Sequence, residues 1–114
     1  MPDSTRMANA RRIIAEIEAE MKRTGYWSTQ PLPAEAYDFR QAFAMDTMTF
    51  PQWLQFVLIP RVRQIIDEQG AFPAHSMVGT QAIREFDGDE NAAQLVALLN
   101  KFDHLFDGAS PGLR

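Results

Sequence analysis

Met7, Ala10, Ile14, Ile17 and Met21 follow one another at alternating steps of three and four residues. That spacing puts all five on one face of an α-helix and on no face of a β-strand. Ile13 widens the stripe, so residues 4–24 predict an amphipathic helix with one side to bury. Asp3 or Ser4 can cap its start, and Gly25 can end it in a left-handed turn. Arg12 with Glu16 and Glu18 with Lys22 are i,i+4 pairs that favour the same helix. The rest of the chain must supply the surface that covers this stripe.

The next stretch, "YWSTQPLPAEAYDF", cannot be regular helix, because Pro31 and Pro33 lack backbone donors and restrict the residues before them. Tyr26, Trp27, Leu32, Tyr37 and Phe39 are large apolar groups for a connection. They predict an ordered loop pinned to the core, with one helical turn at residues 34–37. Thr49 is a candidate N-cap for a second helix, and Pro51 in its first turn has no N–H to lose. Through Leu58 this helix is apolar on more than one face, which predicts the most buried element. Pro60 removes one hydrogen bond and crowds the carbonyl of Phe56. Val62, Ile65 and Ile66 nevertheless resume the stripe, so a kinked helix through Gln69, ended by Gly70, is expected over two separate helices. Ser76 is expected to cap a short helix over residues 77–86, with Gly79 in its interior. A last helix over residues 90–106 turns Leu95, Leu98, Leu99, Phe102, Leu105 and Phe106 inward, with "DGASPGLR" as a frayed tail.

No segment alternates with a period of two. The fold class expected is all-α: a compact antiparallel bundle of about four helices, the second kinked at Pro60, in one domain spanning residues 1–114. A 114-residue chain buries roughly 65% of its extended surface, enough for a core without staples. Cysteine is absent, which removes disulfides, thiolate nucleophiles and Cys-based metal sites. No apolar run reaches the roughly 18 residues of a membrane span, and the N-terminus has no secretory h-region. A soluble, cytoplasmic protein without membrane association is the expectation.

The residues "FAMDTM" (43–48) and "WLQFVLIPR" (53–61), in this order and spacing, resemble the YqcC-like family of small bacterial proteins. Weaker similarity runs over most of the chain and includes "LLNKFDHLF". The resemblance implies a compact helical bundle in a cytoplasmic protein. It also implies an association with tRNA pseudouridine synthase C, a name attached to the family through gene proximity. Pseudouridine synthases are larger α/β proteins with a catalytic aspartate in a sheet-based cleft, so Asp46 is not assigned that role.

Met45, Asp46, Thr47, Met48, Trp53 and Arg61 are the candidate binding residues. Each also has a structural reading. Asp46 and Thr47 suit capping of turns and helix starts. Trp53, Met45 and Met48 suit core packing. Arg61 suits either an ion pair with Asp46 or an anionic ligand. His75 and His104 lack the further ligands a metal needs, and Asp107 beside His104 makes only a pair. "DGDEN" (87–91) misplaces its glycine for a calcium loop and has Leu98 where a glutamate belongs; capping by Asp89 accounts for it. No phosphate loop, dinucleotide fingerprint or nucleophile elbow occurs, so no catalytic residue, cofactor or metal is expected.

A net charge of −4 disfavours general phosphate-backbone binding. RNA remains a candidate partner only through a local face of Arg6, Arg11, Arg12, Lys22, Arg23, Arg61 and Arg63, diluted by Glu16, Glu18 and Glu20. The first expectation is a small module that binds another protein. A small-ligand site at the Pro60 kink is the third reading.

Overall fold

The computed structural model describes residues 4–68, 70 and 76–107. Helix α1 spans Ser4–Thr24. It stops where Gly25 adopts φ +86°, letting Tyr26 and Trp27 donate back to the Met21 carbonyl. A helical rod follows a long connection. It consists of α2 (Phe50–Trp53), a π-helical turn (Leu54–Leu58) and α3 (Ile59–Glu68), joined without a break. Helix α4 covers Val78–Glu85, and α5 covers Ala93–Asp107. Among the described residues no strand occurs. Counting the rod once, the architecture is a four-helix bundle.

Helix α5 lies between α1 and α4, and α1 also packs on α3. The main core draws Ile14, Ile17 and Met21 from α1, Leu54 and Ile59 from the rod, Ala82 from α4 and Leu95, Leu99 and Phe102 from α5. All of these are nearly inaccessible to solvent. Helices α1, α4 and α5 each turn one apolar face inward, while the rod also turns Val57 toward the connection that precedes it.

Local signals set the ends. Thr49 and Gln52 form a reciprocal capping box with Pro51 in the first turn. Gly70 donates to the Ile65 carbonyl at 2.9 Å, and Asp89 caps the short 3₁₀ turn Glu90–Ala92 that leads into α5. Helix α4 begins one residue later than expected, with Met77 as its N-cap. Residue Gln69, His75 and the tails at residues 1–3 and 108–114 lie outside the described residues, as do the side chains of Phe106 and Asp107.

The π-turn sits immediately before Pro60. The Ile59 N–H reaches back five residues to the Leu54 carbonyl. Such a turn widens the backbone where the proline ring would meet the Phe56 carbonyl of a tight α-helix.

Candidate functional site

Residues 25–49 form an ordered connection with a small core of its own. Ala36, Ala44, Met48 and Val57 are buried there, with Leu32, Phe39 and Trp53 against them. Trp53 also packs on the main core and so joins the two. Its ring lies edge-on to Phe43, with centroids 4.9 Å apart, and near-parallel to Phe50. Phe50 in turn meets Phe86 at the end of α4. Met48 fills the loop core, whereas Met45 is 51% exposed and meets the Gln81 amide of α4 through its sulfur.

Asp46 and Thr47 hold this connection from within. The Asp46 carboxylate accepts from the backbone N–H of Arg40 at 3.0 Å and of Gln41 at 3.4 Å. The Arg40 N–H is the main reason its pKa lies below the ordinary carboxylate value. Thr47 donates its hydroxyl to the Ala36 carbonyl at 2.6 Å, tying the 3₁₀ turn Ala34–Tyr37 to the motif. Between these anchors, Phe43 and Ala44 adopt φ of 57° and 53°. Side chains disfavour that region, and consecutive residues there mark a segment held by its surroundings.

Arg61 does not join this network. It is exposed on α3, and Asp46 is engaged by the loop backbone instead. The six candidate residues therefore divide: Asp46, Thr47, Met48 and Trp53 build the loop, while Met45 and Arg61 face solvent.

Gln55, inside the π-turn, has a role that its sequence position did not signal. It is 8% exposed, accepts from the Ser28 N–H at 2.7 Å and donates to the Ser28 carbonyl at 2.9 Å. One side-chain amide thus satisfies both backbone groups of a loop residue that would otherwise be stranded against the core.

Asp103 is the second residue missed. Set among the apolar positions of α5, it is 7% exposed and points at the start of α4. Its oxygens accept from the N–H of Val78 at 3.0 Å, the N–H of Gly79 at 2.7 Å and the Ser76 hydroxyl at 2.6 Å. Ser76 does approach the Val78 N–H, at 3.4 Å, but the carboxylate of another helix does most of the capping. Burial pushes the Asp103 pKa up, against the pull of these donors. A β-carbon on Gly79 would lie 2.8 Å from the Cα of Asn100, so the glycine is what lets α4 come this close to α5. A polar residue in an apolar stripe and a glycine within a short helix were the available signals.

Three residues of the basic face, Lys22, Arg23 and Arg63, are paired internally. Glu18 holds Lys22 at 2.8 Å and Arg63 at 2.6 Å, which keeps the Glu18 pKa low. Glu20 accepts from Arg23, and Lys22 also lies over the Trp27 ring. A cleft of about 260 Å³ between α1 and α3 carries Arg11 and Arg63 beside Asp67. A second, of about 450 Å³, opens where α4 turns into α5. Among the described residues no cluster of three metal-ligating side chains occurs, and no helix is long and apolar enough to cross a membrane.

Residues 9–105 match the protein family described as tRNA pseudouridine synthase C. An uncharacterised protein of Haemophilus influenzae is 33% identical over 76 residues, covering 64% of this chain and 72% of its own. Protein YqcC of Escherichia coli is 32% identical over 96 residues, covering 82% of this chain and 88% of its own. The solution NMR structure of that protein superposes with a TM-score of 0.80 at 27% identity, covering 96% of this chain and 92% of the other. A Pectobacterium carotovorum protein named tRNA pseudouridine synthase C is 30% identical over 69 residues. Those residues are 60% of this chain but 18% of that protein.

Proposed function

From the premise that this chain belongs to the YqcC-like family, we propose that it is a non-catalytic accessory module that binds another protein, a tRNA pseudouridine synthase being the partner class. The observation that carries the reading is Met45. It is held half-exposed at the outer edge of a loop that Asp46, Thr47 and Gln55 fix in place. An adaptable thioether carried on an ordered loop is a good contact for a protein surface, because the backbone beneath it has little freedom left to lose on binding. Met77, 60% exposed, precedes by one turn of α4 the Gln81 that meets Met45. The two methionines flank one polar contact.

The choice of partner class draws support from relative lengths. In the Pectobacterium protein the matched segment is 18% of the chain, which leaves more than four-fifths of that protein to house the activity in its name. A helical segment carried alongside such an enzyme is the arrangement expected of an accessory domain. Arg23, Lys22 and Arg63 are all paired to carboxylates, which argues for protein over RNA as the partner.

The test is capture of purified tRNA pseudouridine synthase C from the same organism on immobilised wild-type protein and on Met45→Glu. Met45 is exposed, so the variant keeps its fold. Retention by wild type and loss by the variant supports the reading; no retention by wild type removes the synthase as partner.

A further inference from the structure

The cleft of about 450 Å³ at the α4–α5 turn has an apolar floor and an acidic rim. Ile83, 55% exposed, lines it with half-buried Val96 and exposed Ala93 of α5, over buried Phe86. Asp87, Asp89 and Glu90 also line it, and among the described residues no lysine or arginine does. Asp89 is engaged by the Tyr26 hydroxyl and the Asn91 N–H. Asp87 and Glu90 are exposed, and no ion pair to either is seen among the described residues. The surface differs from the Met45 surface, because Ile83 lies about 160° around α4 from Gln81, which meets Met45.

We propose that this groove docks a basic segment of another protein, with a Leu- or Phe-sized side chain on Ile83 and Val96 and flanking Lys or Arg on Asp87 and Glu90. The argument for the occupant is charge complementarity. An exposed branched aliphatic in a shallow site with apolar lining calls for an apolar partner group. Two rim carboxylates without an ion pair among the described residues steer cations toward it and repel anions, including a second copy of a chain with net charge −4. The proposal does not depend on the synthase being the partner.

The probe is a 16-residue amphipathic peptide of Leu and Lys, titrated into ¹⁵N-labelled protein at low salt, beside its Leu and Glu counterpart. The Lys peptide should shift the amide resonances of Ile83, Asp87, Glu90 and Val96, with a Kd below about 1 mM that rises at least about tenfold in Ile83→Asp. The Glu peptide should leave them unmoved. Asp87→Lys combined with Glu90→Lys should reverse the preference. All three positions are exposed, so the variants retain the fold, and their unchanged spectra elsewhere show it. Shifts centred on another face, equal response to both peptides, or no response to the Lys peptide would each overturn the proposal. Concentration-dependent shifts of the same amides without peptide would assign the groove to self-association and overturn it equally. If the synthase is captured equally by wild type and Ile83→Asp, the groove serves another basic partner. If the groove binds and the synthase is not captured, only the partner class above fails.

Discussion

Gln55 and Asp103 show how much a single buried polar side chain can organise when its partners are backbone groups. Gln55→Leu removes both hydrogen bonds to Ser28 while keeping the site filled. It is expected to destabilise by about 1–3 kcal/mol in all, because half-buried Ser28 can still meet water, read as a fall in the urea midpoint. Asp103→Ala strips the acceptors from the Val78 and Gly79 N–H groups, with an expected cost of about 1–3 kcal/mol. Its pH dependence has a definite sign. The folded pKa of Asp103 is raised above 3.8, so its contribution is full below that value and declines as pH rises through the raised pKa. The stability gap between wild type and Asp103→Ala should therefore narrow as pH rises above 3.8 in paired urea titrations. Glu18, Glu20 and Asp46 act in the opposite sense. Their folded pKa values are lowered, so their contributions are present above 4.5 or 3.8 and lost as pH falls through the folded values.

Among the elements, the rod from residue 50 to 68 does the most with the fewest unusual features. Its start is a capping box, and Thr49→Ala should cost about 1 kcal/mol in chemical denaturation, the usual loss when an N-cap oxygen disappears. Its π-turn places Gln55 toward Ser28 and precedes Pro60, so one local widening both ties down the long loop and relieves the proline. Helix α4 depends instead on proximity to α5. Gly79→Ala puts a methyl group against the Asn100 backbone and the Asp103 carboxylate. The expected loss is about 1–3 kcal/mol, although alanine is the better helix former, and a rise in the melting temperature would contradict the packing account.

At the scale of the whole molecule, part of the basic charge is paired within the chain. The lysine and arginines nearest a continuous basic face, Lys22, Arg23 and Arg63, pair with Glu18 and Glu20. Against a net charge of −4, that leaves little field to attract a polyanion. Fluorescence anisotropy with labelled tRNA should show no binding at physiological salt. Binding that falls steeply with added salt would return RNA to the list of partners.

The helical class, the span of α1, the Gly25 stop, the turn at residues 34–37 and the Thr49 start all followed from order along the chain. Periodicity, caps and prolines act between residues one to four positions apart, so they are readable without the fold. The YqcC-like likeness rested on two contiguous motifs for the same reason. What Asp46, Gln55 and Asp103 hold was decided only in three dimensions. Asp46 turned to the N–H of Arg40 rather than to Arg61, Gln55 reached Ser28 across 27 positions, and Asp103 reached Val78 across 25. A buried polar group takes whichever partner the packing brings within hydrogen-bonding distance, and sequence separation carries no record of that distance.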